Sequence, residues 1–555
     1  MSDRTFATHQ IRRAVPAPTL WDFAALDTTA PVPARLPVPS AWELVPALHN
    51  YRGRAHYTTR IRCGGNIRLS FGGVSFRARV LLDGNEIARH YGAFTAFETV
   101  VRRLPEGEHA LTVEVDNRFG EDSALHVPND YYSYGGITRP VVIEQLPDVF
   151  VERVGITTKR AADGWTADIS ANIRNLADDD ASADVTLTLA GQTFTQTAHI
   201  PADSTAIICI SDAHYADVTA WTPDTPALYA LRAEIREGNQ VRDDLIDRVG
   251  FREIIISGTD MLLNGEKLRL MGFNRHEEYG AFGCAVPLQA MAQDILMMKD
   301  MGCNCVRTCH YPNDPRFLDL CDEMGLLVWE EAHARGLQEE QMRNPNFMPQ
   351  TRQCVREMVA QHRNHPSIFI WGCLNECADN CDYGADCYRE VYALLHDLDA
   401  SRPMTAALLE RPGSLVYGDS DVVSVNIYPQ WYHNTPVAES LAQKLKEIRE
   451  HGGAGKPVII SEIGAGGIYG YHDPLGESKW SEERQCTILR DQVEAVLANP
   501  ACSGVFLWQF ADCRVTEEWA MHRPKTHNNK GVVDEYRRPK MSYAVVKELF
   551  TKHRA

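Results

Sequence analysis

The sequence predicts two β-sandwich domains followed by a (β/α)8 barrel. Its length of 555 residues suggests about three domains, since a globular domain commonly holds roughly 100–200 residues. Before about residue 255, apolar residues alternate with polar ones as in strands, and long helical periods are absent. After that point, short apolar runs alternate with segments of helical character. The chain is therefore expected to be β-rich first and α/β afterwards.

The first half divides into two β-units, which we predict to span 1–146 and 147–256. Apolar and polar residues alternate in FRARVLLDG of the first unit and in WTADISANI of the second. Such alternation, bounded by Gly, Asp and Asn, is typical of strands that are buried on one face. The acidic run Asp178–Asp180 predicts a solvated turn between two strands of the second unit. Two sandwich-like domains fit this pattern.

The second half, 257–555, holds eight strand candidates, separated in most cases by helical segments such as LQAMAQDILMMKDM and YREVYALLHDLDA. Eight strands in this length suggest a (β/α)8 barrel, which typically has ~250 residues. The connection between the fifth and sixth strands has the weakest helical pattern. The candidates are LRLMGF (268–273), CNCVRT (303–308), LLVWEE (326–331), SIFIWG (367–372), MTAALL (404–409), VVSVN (422–426), PVIISE (457–462) and GVFLWQ (504–509).

Polar residues gather where these strands end. This pattern favours the barrel over the alternative fold, an open doubly wound sheet. In a barrel the carboxyl ends of all strands meet around one site. In an open sheet, strands far from the switch point do not reach one crevice. The strand-end residues are His310, Asn375, Glu376, Tyr428, Glu462 and Trp508.

Composition excludes several classes of function. The chain has 56 basic and 74 acidic residues, a formal net charge of −18, which argues against nucleic acid as a partner. No apolar stretch is long enough to predict a membrane span, and the N-terminus lacks the apolar core of a secretory signal. Fifteen cysteines without such a signal predict free thiols in the cytoplasm. The group Cys373, Cys377, Cys381 and Cys387 lacks zinc-site spacing, so no metal is expected.

Glu376 and Glu462 are the strongest catalytic candidates, because each follows a strongly apolar strand and so begins at the rim of a dry core. Two carboxyls facing one pocket can divide the labour of glycoside hydrolysis, one protonating the leaving oxygen and the other attacking carbon. A simpler interpretation is that these glutamates form ion pairs at the rim or cap the following helices. That interpretation fits one such glutamate better than two on the same rim.

These residues lie in motifs that resemble glycoside hydrolase family 2, and within it the β-glucuronidases. The resemblance runs through nearly the whole chain and implies a jelly-roll domain, an immunoglobulin-like domain and a catalytic barrel. It also implies a retaining mechanism without metal or organic cofactor. The motifs are NYRGRAHYTTRI, NDYYSYGGITRPV, AWTPDTPALYALRAEI, LLNGEKLRLMGFNRHEE, VRTCHYP, NHPSIFIWGCLNE, VNIYPQWY, IISEIGAG and FLWQFAD.

The resemblance implies a role for each matched residue. Glu376 would be the general acid/base, Glu462 the nucleophile, and Asn375 a donor to the sugar 2-hydroxyl. Trp508 would offer the sugar an apolar face. The remaining matched residues would contact substrate or orient the nucleophile; they are Asp130, His310, Tyr428 and Tyr432.

Two features point to an acidic sugar. The segment THNNKG carries an Asn-x-Lys motif, Asn528 and Lys530, which grips the sugar carboxylate in the glucuronidases. An ammonium and an amide give that carboxylate charge-assisted hydrogen bonds. Many glucuronidases have a small apolar residue at the position where this chain has Arg335. The Arg335 guanidinium is suited to donate hydrogen bonds to an axial 4-hydroxyl or to the sugar carboxylate. We therefore expect cleavage of both β-glucuronides and β-galacturonides.

The partners expected are small-molecule or oligosaccharide uronides and other copies of the chain in a homo-oligomer. The segment between Gly336 and His365 is short, so the leaving-group side is predicted to be open or completed by a neighbouring subunit. Two alternatives stay open: a neutral-sugar hydrolase such as a β-galactosidase, and a non-catalytic carbohydrate-binding protein. A nucleotide-binding oxidoreductase is disfavoured because GAGGIYG has Tyr469 where the GxGxxG fingerprint needs glycine.

Overall fold

A computed structural model describes residues 4–554. The first β-unit is an antiparallel sheet of eight strands, supplemented by a short pair, Val74–Ser75 with Gly136–Ile137. The predicted inward positions are buried, for example Val80 and Val113. The eight strands are Ala14–Pro16, Leu20–Ala25, Arg35–Pro37, Arg54–Phe71, Arg77–Leu82, Asn85–Tyr91, Phe97–Asp116 and Val141–Leu146.

The second β-unit is a sandwich of two antiparallel sheets that enclose their own apolar core. The run Asp178–Asp180 connects two strands, one from each sheet, as predicted. One sheet contains Val149–Ala161, Gly164–Asn175 and Thr205–Tyr215. The other contains Ala181–Leu189, Gln192–Ile200, Tyr229–Glu237 and Gln240–Val249. The boundaries at 146/147 and 256/257 stay predictions; the first follows the strand Val141–Leu146 and the second falls within the strand Ile254–Ser257.

Parallel strands form the barrel, and hydrogen bonds join each to its neighbours except between Met404–Thr405 and Ala407–Leu408, which are connected by the chain through Ala406. Two predicted strands are interrupted in the structure. LRLMGF is split at Arg269, which separates the short strand Glu266–Leu268, the last of a preceding hairpin, from the barrel strand Leu270–Asn274. MTAALL is split at Ala406, so the ring consists of nine segments. The hairpin comprises Ile254–Ser257, Asp260–Leu263 and Glu266–Leu268. The barrel segments are Leu270–Asn274, Cys305–Arg307, Leu327–Glu331, Ile368–Gly372, Met404–Thr405, Ala407–Leu408, Val423–Asn426, Val458–Ile463 and Cys502–Leu507.

Helices cover the outside of this ring with apolar side chains such as Ile295, Val391 and Val493. Among the described residues, the connection between the fifth and sixth strands contains no helix, as its weak pattern predicted. No helix within 4–554 is long and apolar enough to cross a membrane. The helices are Leu288–Asp300, Pro315–Met324, Glu339–Met342, Phe347–His362, Asp382–Leu398, Val437–Ile448, Glu482–Ala498, Glu517–Ala520 and Met541–Arg554.

A loop of the first β-unit, residues 117–135, reaches the carboxyl end of the barrel. Its Asn129 is fixed there by a reciprocal pair of bonds: Thr516 Oγ1 accepts from the Asn129 amide at 3.0 Å and donates to its carbonyl at 2.7 Å. Arg139 adds a buried ion pair to Glu277 of the barrel at 3.0 Å. These contacts place Asp130 over the mouth of the barrel, although it is distant in sequence.

Arg12 joins the two sandwiches through a buried ionic cluster. Its guanidinium donates to Asp243 at 2.7 and 3.0 Å, to Glu144 at 3.0 Å and to the carbonyl of Val151 at 2.6 Å. The Arg12 side chain is fully buried, as is that of Asp243. Without the guanidinium, buried carboxylates lose their counter-charge, and such breakage is strongly destabilising.

Arg12→Ala is expected to lower the unfolding free energy by about 3–5 kcal/mol, because it leaves Asp243 and Glu144 buried with less compensation. Neighbouring Arg13, which is exposed, supplies the matched control, and Arg13→Ala is expected to change stability by less than about 0.5 kcal/mol. Thermal unfolding midpoints at one scan rate measure both. Equal midpoints for the two variants would contradict the role given to Arg12.

Candidate active site

The two candidate carboxyls lie at the carboxyl ends of the fourth and seventh barrel strands. Glu462 is the penultimate residue of Val458–Ile463, whereas Glu376 follows Ile368–Gly372 by four residues. Leu374 and Glu376 have positive φ angles of 49° and 51°, a region that costs an ordinary residue roughly 1–2 kcal/mol. A bond from the Glu376 amide to the carbonyl of Ala407, 2.9 Å long, helps to hold this turn.

Arg307 of the second strand is the hub of the site and is completely buried. It donates to Glu331 at 2.8 Å through two nitrogens, to Glu462 Oε1 at 2.9 Å and to Asn375 Oδ1 at 2.7 Å. It also donates to Asn274 Oδ1 at 2.8 Å. Burial alone lowers the pKa of Arg307, but Glu331 and Glu462 raise it above its usual value. The guanidinium thus stays charged and fixes residues from four other strands.

The Glu462 carboxyl accepts from Arg307 on one oxygen and from Tyr428 Oη, 2.6 Å away, on the other. Burial, and then the charge of the facing Glu376, raises the pKa of Glu462 to about 7, against the opposing pull of Arg307 and Tyr428. The negative charge of Glu376 thus opposes ionisation of Glu462. The phenol and guanidinium bonds favour the anion on Glu462, which is the form that a nucleophilic carboxylate needs.

Glu376, the other carboxyl of the pair, is the one nearer the opening of the site. Asn426 donates to its Oε1 at 3.0 Å, and Arg335 lies 3.5 Å from its Oε2. Its side chain is 12% exposed, against 5% for Glu462. The more open carboxyl suits exchange of a proton with a leaving group and then with water.

Asn375, which precedes Glu376 and is bonded to the same guanidinium as Glu462, presents a free donor in the site. Its Oδ1 is occupied by Arg307 at 2.7 Å, which fixes the amide orientation, and its buried Nδ2 has no protein partner. A buried polar group without a partner is rare and calls for a ligand or water. The position matches a bond to a sugar hydroxyl.

His310 and Trp508 form one wall of the site. Their rings stack at 5.2 Å with an interplanar angle of 11°. His310 Nδ1 lies 2.9 Å from Glu331, while the buried Nε2 has no protein partner and lies 4.0 Å from Glu462. Burial lowers the pKa of His310 well below its usual value, so the ring is neutral. The wall offers an apolar face and one free polar atom to a ligand.

The other end of the site is cationic. Lys530, although 3% exposed, donates to Tyr432 Oη at 2.6 Å, and the exposed ring of Tyr432 forms the rim. Asn528 is fully buried; its Nδ2 donates to Asp130 at 3.2 Å and its Oδ1 has no protein partner. Arg523 also pairs with Asp130, at 3.0 Å. This end therefore collects the predicted Asn-x-Lys pair and a further cation.

Arg335 is mostly buried, its side chain 14% exposed, so it is not a surface arginine. It donates to Asn129 at 2.6 Å and lies 3.1 Å from Asp130. Burial raises the pKa of Asp130, but Arg335 and Arg523 outweigh it and hold the pKa below its usual range. Three cations, Arg335, Arg523 and Lys530, thus neighbour Asp130, and Glu376 also faces Arg335, so two carboxyl groups share three cations and a surplus of one positive charge is left.

All the residues predicted for the site come together around this pocket, but the sequence reasoning missed four of its members. Arg307, Glu331 and Asn426 are the last residues of their barrel strands, so their position at a strand end was the available signal. Arg523 lies in the loop that precedes Asn528, and no periodicity predicts its position. The cysteines 373, 377, 381 and 387 form no metal-spaced group in the described part of the chain.

A (β/α)8 barrel with paired carboxyls at its carboxyl-terminal rim and two β-sandwiches before it defines a class of glycoside hydrolases. Family models agree: the model of glycosyl hydrolases family 2, TIM barrel domain, matches residues 254–554, and the model of glycosyl hydrolases family 2 matches 149–252. The chain belongs to glycosyl hydrolases family 2.

Three similar proteins illustrate the relationship. A protein of Formosa agariphila is 29% identical over 87% of this chain, which spans 62% of that protein's length. A beta-glucuronidase of Streptococcus agalactiae is 28% identical, with 87% of this chain and 84% of the relative covered. The crystal structure of a GH2 beta-galacturonidase from Eisenbergiella tayi bound to galacturonate is 46% identical, with a TM-score of 0.97 and 99% of both chains covered.

The coupled carboxyls predict the acidic limb of the pH profile. Because Glu462 has a raised pKa of about 7, kcat/KM for an aryl glycoside with a good leaving group should fall as pH drops through that value. Glu376→Gln removes the neighbouring negative charge and should move this limb to lower pH. The measurement is kcat/KM against pH for both proteins. An unmoved limb, or one displaced to higher pH, would contradict the coupling.

Proposed function

We propose that this protein hydrolyses β-D-glucuronides and β-D-galacturonides with retention of configuration, through a covalent glycosyl-enzyme. The single observation that carries the proposal is the group of cations that shares the pocket with the carboxyl pair. There Lys530 and Arg523 are largely buried among polar partners. Buried charges are costly unless they are paired, and a sugar carboxylate is the ligand that completes the pairing.

Each chemical step has its group in this arrangement. Glu376 protonates the glycosidic oxygen while Glu462 attacks the anomeric carbon, so the leaving group departs and a glycosyl ester forms. Glu376, now ionised, takes a proton from water, which then hydrolyses the ester. Asn375 Nδ2 donates to the sugar 2-hydroxyl, a bond that strengthens in the transition state. Arg307 and Tyr428 hold the nucleophile for in-line attack.

The sugar carboxylate is placed by Lys530, Asn528 and Arg523. In the free protein Asp130 occupies part of this cationic surface, and its bond to Asn528 is 3.2 Å long. The surplus of positive charge leaves room for a second anion. A neutral hydroxymethyl group forgoes the charge-assisted bonds, which separates this proposal from the alternative of a neutral-sugar hydrolase.

Arg335 supports the acceptance of both uronic acids. Its buried guanidinium lies between Asp130, at 3.1 Å, and the acid/base Glu376, at 3.5 Å. Its Nε has no protein partner. A fork of donors at this position suits the axial 4-hydroxyl of a galacturonide, while the Asn-x-Lys pair serves the carboxylate that both sugars share.

The compartment and the assembly remain proposals as well. All fifteen cysteines are free thiols in the structure, which supports the cytoplasm as the proposed location. The homo-oligomer predicted from the sequence stays a prediction. The segment between Gly336 and His365 consists mainly of a four-residue helix, Glu339–Met342, and a sixteen-residue helix, Phe347–His362, and we propose that the leaving-group side beside it is open.

A panel of 4-nitrophenyl β-glycosides that differ only in the sugar tests the substrate class. Uronides should be hydrolysed and the galactoside should not. Lys530→Ala should lower kcat/KM for uronides roughly 10- to 150-fold, because a hydrogen bond to a charged group contributes about 1.5–3 kcal/mol. Exposed Lys525 lies in the same loop, so Lys525→Ala is the matched control and should have little effect. Preference for the galactoside, or an unselective loss in Lys530→Ala, would favour the neutral-sugar alternative.

Arg335→Ala should lower the ratio of galacturonide to glucuronide kcat/KM at least tenfold, since only the galacturonide loses a bond to its axial hydroxyl. Effects of the substitution on folding and on Glu376 cancel in this ratio, because both substrates are measured with the same variant. Arg335→Lys keeps the charge without the fork and should give an intermediate ratio. Absence of galacturonide turnover in the unmodified protein, or an unchanged ratio in Arg335→Ala, would refute the assignment.

A further inference from the structure

His276, Cys309 and His310 form a soft-donor group at the floor of the pocket. One possible ligand atom from each residue lies within 4.8 Å of the others. His276 is 5% exposed, and Cys309 and His310 are fully buried. Imidazole nitrogen and thiolate sulfur are the donors that zinc prefers in proteins.

Neighbouring residues orient both imidazoles. His310 Nδ1 lies 2.9 Å from the Glu331 carboxyl, and His276 Nδ1 lies 3.2 Å from Tyr311 Oη. The two Nε2 atoms are buried and have no protein partner. An imidazole whose second nitrogen bonds a carboxylate is the usual arrangement of a metal-bound histidine, because the bond fixes the tautomer and makes the ligand more basic.

We propose that this floor binds Zn²⁺ through His276, Cys309 and His310, and that the bound ion excludes the sugar. On binding, the Cys309 thiol releases its proton to the buffer and the sulfur–zinc bond forms without any redox change. Bond lengths of about 2.0–2.3 Å place tetrahedral ligand atoms roughly 3.3–3.7 Å apart. Since the ligand atoms lie within 4.8 Å of one another, the three donors need to approach by about 1.5 Å at most, within the reach of side-chain rotations.

Competition with the sugar follows from the position of the group. His310 Nε2 is 4.0 Å from Glu462 Oε1, and the His310 ring stacks on Trp508. An ion held here would lie beside the nucleophilic carboxylate and take the free nitrogen that a sugar hydroxyl would otherwise meet. The site would thus be inhibitory rather than catalytic.

A second buried group, Asp319, Asp322 and His365, does not fit a cation equally well. Asp319 already bonds the Arg4 guanidinium at 2.7 Å, and Asp322 accepts from the amide of Ser367 at 3.0 Å. His365 Nδ1 lies 2.5 Å from Asp322. Its carboxylates thus already have protein donors, whereas no hydrogen bond reaches the two Nε2 atoms of the proposed zinc site.

Titration of the metal-free protein with Co²⁺, a spectroscopic probe of zinc sites, tests the proposal. One equivalent should produce a thiolate-to-cobalt charge-transfer band that Zn²⁺ abolishes. Galacturonate should displace the ion from the unmodified protein, a readout that needs no variant. Cys309→Ser should remove the band and weaken Zn²⁺ binding at least tenfold, as loss of even a supporting group can do. His276→Gln should weaken it too.

Cys209→Ser, which removes an exposed thiol, is the control and should leave the band intact. The proposal is overturned if no band forms, if the band persists in Cys309→Ser or disappears in Cys209→Ser, or if galacturonate leaves it unchanged. Hydrolysis of uronides measured without added metal is independent of these results. Failure of the metal site is therefore distinguishable from failure of the proposed function.

Discussion

The buried charge of Arg307 is the constraint on which the site depends. A guanidinium removed from water is tolerated only if its donors and its charge are both satisfied. In this barrel the partners that satisfy it are Asn274, Glu331, Asn375 and Glu462, each from a different strand end. The same bonds that stabilise Arg307 therefore also fix the nucleophile and leave the amide of Asn375 as a free donor. Fold stability and preparation for catalysis share these contacts.

Global and local charge have opposite signs in this protein. The formal net charge is −18, yet three cations surround Asp130 at one end of the pocket. Ligand recognition depends on this local arrangement, because charges beyond about 10 Å are largely screened in salt. The negative total thus argued against a nucleic acid backbone but carried no information about an anionic sugar. The acidic total also counts Glu462 as ionised, although its raised pKa leaves it partly protonated near neutral pH.

The sequence predicted the order of the elements and most of the pocket, because a parallel barrel brings the residues at its strand ends together. It did not predict Arg307 and Glu331, although each is the last residue of its strand, because the sequence alone does not show that both side chains face into the site. Arg523 and the position of Asp130 depend on loop paths and on the contact between Asn129 and Thr516. Those contacts join segments far apart in sequence, and local patterns do not specify them. The breaks at Arg269 and Ala406 within predicted strands have the same origin.

Trapping the covalent intermediate tests the central claim most directly. A 2-deoxy-2-fluoro galacturonide or glucuronide with a good leaving group lacks the hydroxyl that Asn375 would bond, and its fluorine slows breakdown of the glycosyl ester. Peptide mass spectrometry should find one fluorosugar attached to Glu462, and Glu462→Gln should not be labelled. Attachment to Glu376 or to another residue, or turnover of substrate without any trapped ester, would contradict the assignment of Glu462 as the nucleophile.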